Sequence, residues 1–169
     1  MKVPLSLLNT ALRAKWLWLQ HVDDSKPWKE FAVRTTPEVR DLFQATTSSR
    51  VGDGGRTLFS KDRWLEGCRI RDEYPSLVAA VRLRVVNTRL VREGLQGAWL
   101  TDVGPDLGEV ALAEFLALWT RIQHFQLAEG REDALLWNWS VDGVYSARSA
   151  YKHLFAGLTT DPLAAQDNL

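Results

Sequence analysis

Apolar residues recur at steps of three and four over the first twenty residues, which is the spacing of one face of an α-helix. The pattern predicts a helix whose core-facing stripe consists of Leu5, Leu8, Leu12, Trp16 and Leu19. Trp18 lies off this stripe, so we expect its side chain to face away from the core. The polar sequence from His21 to Pro27 is expected to end the helix.

A second helix with the same periodicity is predicted before Gly130, because glycine favours a helix end. Its stripe consists of Leu112, Phe115, Trp119, Ile122 and Phe125. Asp106 and Glu109 stand at the spacing of a capping box, with aspartate in place of serine or threonine, and predict where this helix begins. Since Trp16 and Trp119 both lie on apolar stripes, we expect them to fill the core rather than to stack on nucleic-acid bases.

Shorter helices are predicted at three further places. Residues 36–38 (TPE) combine a cap, a proline suited to the first helical position and an acid suited to the positive helix end. Residues 75–86 (PSLVAAVRLRVV) open with proline and read as one helix, and Asn87-Thr88 can cap another that ends at Gly94. Ser146 is expected to cap the last helix, whose apolar face includes Ala150, Tyr151, Leu154 and Phe155.

Two Asp-Gly pairs between β-prone residues predict β-hairpins, because tight hairpin turns need residues that tolerate positive φ angles. The hairpins are expected over residues 51–60 (VGDGGRTLFS) and 136–145 (LWNWSVDGVY), with residues 46–50 as a loop before the first. Residues 52–55 can also be compared with a phosphate-binding loop. The Gly-Lys-Ser/Thr ending of that motif is missing and no helix follows at once, so a hairpin turn is the favoured interpretation.

These elements predict an α+β fold that is predominantly α-helical with two small β-hairpins. Residues 1–156 are expected to form a single domain, since 169 residues with 46% hydrophobic and 25% charged residues are typical of one globular domain. Residues 157–169 show no periodicity and are expected to be a frayed tail. No apolar run reaches the roughly 18 residues of a membrane span, so we expect no membrane partner.

Positive and negative charges are segregated along the chain, although the net charge at pH 7 is zero. Residues 1–92 hold 17 of the 21 lysines and arginines and 10 of the 21 acids, which makes them net +7, while residues 93–169 are net −7. A basic half can bind nucleic acid or the acidic half of its own chain. Most of the cations are arginines, which form planar contacts with phosphate and carboxylate alike, so composition leaves both partners open.

Residues that could carry catalysis or hold a metal are few and scattered. Cys68 is the single cysteine, and His21, His124 and His153 have no ligand partner three or four residues away. We therefore expect no metal site and no cofactor, and a lone thiol without a placed histidine is expected to be inert. The adjacent acids Asp23-Asp24 lie in loop-like sequence and are expected to be solvated. No nucleophile, base and acid set has a recognisable signature, so no catalytic residue is predicted.

Four sequence blocks carry a resemblance to a known family. They lie at residues 9–18 (NTALRAKWLW), 51–59 (VGDGGRTLF), 62–67 (DRWLEG) and 137–151 (WNWSVDGVYSARSAY). In this order they resemble the region downstream of the polymerase domain in plant non-LTR (LINE-type) retrotransposon reverse transcriptases, which leads into the reverse-transcriptase zinc-binding domain. The resemblance covers about residues 7–156.

The chain departs from that family in ways that affect its expected function. It has no Tyr-x-Asp-Asp motif, which carries the metal-binding carboxylates of the family's polymerase. It stops at Leu169, before the position of the family's Cys-x-x-Cys and later His and Cys. The resemblance therefore implies a non-catalytic fragment, not an enzyme by itself, that contacts template RNA or target DNA in the full-length protein. The alternative is a stand-alone structural or protein-interaction domain derived from a decayed retroelement.

The candidate nucleic-acid-binding residues are Arg82, Arg84, Arg89 and Arg92, in the densest cationic stretch of the basic half. The resemblance suggests that they contact phosphates of RNA or single-stranded DNA. The competing interpretation is a solvated helix face, or pairing with acids from residues 93–169, because surface charges usually have no ligand. We expect a location inside the cell, the nucleus included, and the sequence leaves the oligomeric state open.

Overall fold

The computed structural model describes residues 5–22 and 35–160 of the chain. These residues are mainly helical and contain one two-stranded antiparallel sheet, which confirms the predicted α+β, predominantly helical class. The helices are α1 (Leu5–Val22), α2 (Pro37–Thr46), α3 (Ile70–Glu73), α4 (Pro75–Ala79), α5 (Leu83–Thr88), α6 (Val91–Glu93), α7 (Trp99–Asp102), α8 (Glu109–Ile122) and α9 (Ala147–Thr160). The strands are β1 (Thr47–Arg50) and β2 (Ala134–Trp137), and a π-helical segment covers Gly94–Ala98.

The chain forms two compact units. The terminal unit combines Met1–Thr47 with Leu135–Leu169, and the central unit is Ser48–Ala134. Each unit has an aromatic core of its own. The expectation of one domain over residues 1–156 stays a prediction, since two compact units can still unfold in a single transition.

In the terminal unit, α1 packs against α9 and α2. Its buried face consists of Ala11, Ala14 and Trp18, and the two alanines have no solvent exposure. Small side chains at a helix contact reduce the distance between the helix axes, so this face allows close packing. The Tyr145 hydroxyl donates a hydrogen bond to the Ala11 carbonyl, which ties the helix to the segment after β2.

The prediction of which face of α1 is buried was wrong, although the helix itself is confirmed. Trp18 is only 6% exposed, whereas Trp16 is 45% exposed and the leucines of the predicted stripe at positions 5, 8 and 12 are also exposed. The reason is that α1 has two apolar faces. Periodicity identifies the larger side chains, but packing selects the face on which alanine permits close contact.

The predictions for α9 and β2 agree more closely with the structure than the prediction for the buried face of α1. The fully buried Trp137 donates its indole N–H to the Ser149 hydroxyl at 3.0 Å, and Ala150 has no exposure. The Ser146 hydroxyl accepts the Ser149 N–H at 3.0 Å, so the predicted cap is confirmed. The helix continues to Thr160, into the residues predicted to fray, and residues 161–169 lie outside the described part.

In the central unit, α8 packs against α4 around the buried residues Leu77, Leu118 and Ile122. The predicted helix is confirmed, but it ends at Ile122 and its N-cap residue is Gly108, so the predicted capping box does not form. Trp119 and Leu112 are exposed, contrary to the prediction, whereas Phe115 and Phe125 pack against the core as expected. Trp99 fills the space beside α8, with its ring centroid 4.7 Å from that of Phe115.

Neither predicted hairpin forms in the described residues. The strand β1 lies where a loop was predicted, and it pairs with β2, far away in sequence. After β2 the chain turns, and the Trp137 N–H donates to the Gly143 carbonyl at 2.8 Å without a second strand. The two-residue turn occurs at Glu66-Gly67 instead, where both φ angles are positive and the Cys68 N–H donates to the Leu65 carbonyl at 2.9 Å.

The stretch predicted as one helix over residues 75–86 is broken between α4 and α5. Val81 forms an isolated β-bridge with Val103 there, so the chain is extended where β-branched residues weaken a helix. Thr88 ends α5 instead of capping the next helix, and α6 begins only after Leu90. At α2 the predicted helix is confirmed, although Thr36 makes no capping hydrogen bond with its side chain. Asp23-Asp24 lie outside the described residues.

Replacing Trp18 by alanine is expected to lower the free energy of unfolding by about 3–5 kcal/mol, because the change removes a buried aromatic ring from the terminal unit. Trp16→Ala, two residues away on the same helix, is the matched control and should cost less than about 1 kcal/mol. Urea titrations followed by circular dichroism measure both values. A larger loss for Trp16→Ala would mean that the exposed stripe, and not the alanine face, packs against the protein.

Candidate functional site

The carboxylate of Asp133 accepts hydrogen bonds from the loop at the start of the central unit, residues 52–57. One oxygen accepts the backbone N–H groups of Gly52 at 2.7 Å and Gly54 at 2.9 Å. The other accepts the N–H groups of Arg56 and Thr57, both at 2.9 Å, and the Thr57 hydroxyl at 2.8 Å. Five donors therefore converge on one side chain.

This arrangement explains why the Gly-Asp-Gly-Gly sequence is not a hairpin. A hairpin directs alternate N–H groups to its partner strand, whereas residues 52–57 turn four N–H groups towards one anion. Such a concave set of N–H groups is an anion-binding nest, as in phosphate-binding loops. Here the anion is Asp133 of the chain itself, so the loop resembles a phosphate loop in its donors but already holds a carboxylate.

Burial is the largest single influence on Asp133 and acts to raise its pKa. The hydrogen bonds from Arg56, Gly52, Thr57 and Gly54 act in the opposite direction, and together they lower the pKa of Asp133 below its usual value. The folded protein therefore favours the ionised carboxylate. No local pattern identifies Asp133 in the sequence, because its partners lie 76–81 residues away.

Arg92, one of the four candidate nucleic-acid-binding residues, supports this loop from the other side. Its Nε donates to the Asp53 carbonyl at 2.9 Å, and its guanidinium forms an ion pair with the Asp53 carboxylate. Its backbone N–H donates to the Gly54 carbonyl at 2.9 Å, while the Val91 N–H donates to the Thr57 carbonyl at the same distance. Arg92 therefore stabilises the loop.

Arg89, the second candidate of this group, is also paired within the chain. Its guanidinium donates two parallel hydrogen bonds of 2.6 Å to Asp102 and a third of 3.2 Å to Glu93. The hydrogen bonds to Asp102 are the main cause of a raised pKa at Arg89. This pair joins the basic and acidic halves of the sequence, as the competing interpretation of the arginine stretch expected.

Arg82 and Arg84 have a different environment. Both side chains are exposed at the start of α5, and within the described residues neither forms an ion pair. The nucleic-acid role stays a prediction, and these two arginines are the members of the set that are exposed and form no ion pair within the described residues. Within the described residues, the four candidates divide into two that form ion pairs with carboxylates, Arg89 and Arg92, and two that form none.

A second polar cluster surrounds Arg121, on α8. Its guanidinium binds the Tyr74 hydroxyl at 3.0 Å, the Glu66 carboxylate at 2.6 Å and the Glu73 carboxylate. Cys68 lies beside this cluster, and its hydrogen bond with Glu73, with burial as a smaller cause, raises the pKa of the thiol. A thiol that stays protonated is a weak nucleophile.

A cavity in the central unit is too small for a small-molecule ligand. This cavity of about 20 Å³ lies between α4, α5, α7 and α8, lined mainly by aliphatic side chains with Arg89 and Asp102 at its edge. This volume holds about one water molecule and is far below the roughly 300 Å³ of a typical ligand pocket. Over residues 5–22 and 35–160, no three His, Cys, Asp or Glu side chains converge as a metal site. The helices in those ranges include none with the length and hydrophobicity of a membrane span.

Comparison with known proteins does not assign the chain to a family. No protein-family model matches it, and no curated protein or solved structure gives a significant match. The functional interpretation therefore depends on the residues of the chain and on the sequence blocks described above.

Replacing Asp133 by asparagine is expected to destabilise the protein at neutral pH, because the amide nitrogen cannot accept hydrogen bonds from the loop. The variant should also show a weaker dependence of stability on acid. Since the folded-state pKa of Asp133 is lowered, its contribution is present above the unfolded pKa of about 3.9 and is lost as the pH falls through the folded value. Urea midpoints of both proteins between pH 7 and pH 2.5 measure this, and parallel curves would contradict the assigned role.

Replacing Gly52 by alanine is expected to cost about 1–3 kcal/mol or more, since the new methyl group would lie 2.1 Å from the Arg131 carbonyl oxygen. Gly104→Ala is the matched control, because a methyl group there meets no atom within 4 Å. The two free energies of unfolding, measured side by side, test the close approach of the chain at the loop. Equal values would show that the backbone at Gly52 can move away without cost.

Proposed function

We propose that the chain is a non-catalytic region of a LINE-type reverse transcriptase that contacts the phosphate backbone of RNA or single-stranded DNA. The observation that carries the proposal is the exposure of Arg82 and Arg84, while Arg89 and Arg92 of the same stretch are bound by carboxylates. Two accessible guanidinium groups, one at the N-cap and one in the first turn of α5, suit contact with phosphates. The choice of this family rests on the resemblance of the four sequence blocks.

The acids of the resembling blocks support the non-catalytic part of the proposal. Asp53 binds Arg92, Asp62 accepts the Leu58 N–H at 2.7 Å, and Asp142 accepts the Val144 N–H at 3.0 Å. Asp62 and Asp142 each stabilise a turn of their own neighbourhood, and Asp53 also accepts the Gly55 N–H at 2.9 Å. Catalysis of phosphoryl transfer would instead need carboxylates gathered around metal ions.

Most aromatic residues of the same blocks favour backbone contact over base stacking. Trp64, Trp137 and Tyr145 are all buried in the cores of their units, whereas Trp16 of the first block is 45% exposed. Stacking on unpaired bases needs exposed rings beside cations. Contact through phosphates alone carries no sequence information, so the proposed binding is independent of base sequence.

The alternative function, a protein-interaction domain, is favoured by a separate observation. Leu112, Leu116 and Trp119 form an exposed apolar row on α8, opposite in character to the charged surface proposed for nucleic acid. Exposed rows of large apolar side chains mark surfaces that contact other proteins. The nucleic-acid experiment below separates the two functions.

Replacing both Arg82 and Arg84 by alanine is expected to weaken binding to unrelated RNA and single-stranded DNA sequences by a similar factor. The slope of log affinity against log salt should fall by roughly 1.4, which is about 0.7 for each phosphate that the variant no longer binds. Fluorescence anisotropy with labelled oligonucleotides over a range of salt concentrations measures both quantities. The fold should be unchanged, because both side chains are exposed.

The matched control removes two exposed cations from α9 in the terminal unit, as Arg148→Ala with Lys152→Ala. It changes the net charge by the same amount and should leave the affinity within about twofold of the wild-type value. An equal loss in the control would show that only net charge matters. If the wild-type chain binds neither RNA nor DNA at low ionic strength, the nucleic-acid function is refuted and the protein-interaction function replaces it.

A further inference from the structure

The helix α1 has an apolar ridge that no part of the described chain covers. Leu5 is 77% exposed and Leu12 47%, Leu8 and Trp16 are similarly accessible, and Leu19 at the end of the row is half-buried. At 100° for each residue, the five side chains lie within an arc of about 80°. The buried face of α1, centred on Ala11, Ala14 and Trp18, lies about 130° away around the helix, so the ridge is a second face.

The spacing of this ridge is symmetric about its central residue. Leu8 and Trp16 lie four residues to either side of Leu12, and Leu5 and Leu19 lie seven residues to either side. A surface with this symmetry is complementary to itself when a second copy lies antiparallel to it. In such a two-fold arrangement Leu12 meets Leu12, Leu8 meets Trp16, and Leu5 meets Leu19.

The charges of α1 are compatible with this pairing. The helix has no acidic residue, and its cations near the ridge are Arg13 and Lys15. With Leu12 on the two-fold axis, Arg13 comes level with Ala11 of the second copy and Lys15 with Asn9, so no like charges lie directly opposite each other. The helix has only these two cations beside its ridge, whereas a helix that lies on anionic lipid is rich in Lys and Arg on its polar face.

We propose that α1 is a homodimerisation surface, on which two copies of this chain pair as antiparallel helices with the two-fold axis at Leu12. Interdigitated side chains at steps of three and four are the usual contact between antiparallel helices. The proposal does not depend on the nucleic-acid function, since Arg82 and Arg84 lie in the other unit.

The first experiment measures the mass in solution by sedimentation equilibrium over a range of concentrations. The wild-type chain should show a monomer–dimer equilibrium, and Leu12→Glu should be monomeric throughout, because it places two carboxylates together at the axis. Leu116→Glu, at a 56%-exposed leucine on α8, is the matched control and should dimerise like the wild type. A monomeric wild type at all concentrations, or loss of the dimer in the control alone, would overturn the proposal.

The second experiment tests the register by disulfide formation in a Cys68→Ser background, which removes the single native thiol. Leu12→Cys should cross-link to itself, since residues on the axis come within the roughly 4.4–6.8 Å that a disulfide spans between Cα atoms. Leu8→Cys should not cross-link to itself but should do so when mixed with Trp16→Cys. Efficient cross-linking of Leu8→Cys alone would indicate a parallel pair and contradict the symmetry.

A lipid surface is another kind of occupant for such a ridge. Flotation with vesicles that contain anionic phospholipid should recover no more wild-type protein than Leu12→Glu protein. Recovery of a monomeric wild type, together with loss of recovery for Leu12→Glu, would assign the ridge to a membrane and refute the dimer. Circular dichroism of each variant confirms that the fold is retained.

Discussion

The central unit depends on one partly buried network, in which Asp133 accepts hydrogen bonds from the N–H groups of the loop at its beginning. Gly52 lies near the first residue of the segment Ser48–Ala134 and Asp133 lies near its last residue, so their hydrogen bond joins the two ends of this segment. Without the carboxylate, four neighbouring N–H groups would lose their partner, and such groups are costly to leave unpaired. The loop in turn holds α6 through the hydrogen bonds of Val91 and Arg92, which places Phe59 and Val91 in the core.

Some charges of the basic and acidic halves of the sequence form ion pairs with each other in the folded chain. Arg89 pairs with Asp102 across the two halves of the sequence, and Arg121 of the acidic half binds Glu66 and Glu73 of the basic half. Arginine suits these sites because its planar guanidinium binds two or three oxygens at once. A cluster of cations in the sequence is therefore a poor guide to a binding surface until the internal pairs have been identified.

Two helices carry more apolar surface than their own unit buries. On α1 the excess is the ridge around Leu12, and on α8 it is the row that contains Leu116 and Trp119. The buried faces contain small side chains, such as those of Ala14 and Ala111, which let backbones approach closely. This division gives each helix one face for folding and one that is available to a partner, which is why interaction with a second copy is the further property we assign.

The sequence by itself determined the helical class, the three long helices and several local features whose signals are short-range. The Ser146 cap and the burial of Trp137 and Ala150 follow from residues only a few positions apart. The tertiary structure alone decided which face of α1 is buried, because Trp16 and Trp18 are equally apolar and only close packing against the rest of the unit distinguishes them. It also decided that the Gly-Asp-Gly loop holds Asp133 and that Arg89 and Arg92 are paired, since hydrogen-bond partners 13 to 81 residues apart leave no local pattern in the sequence.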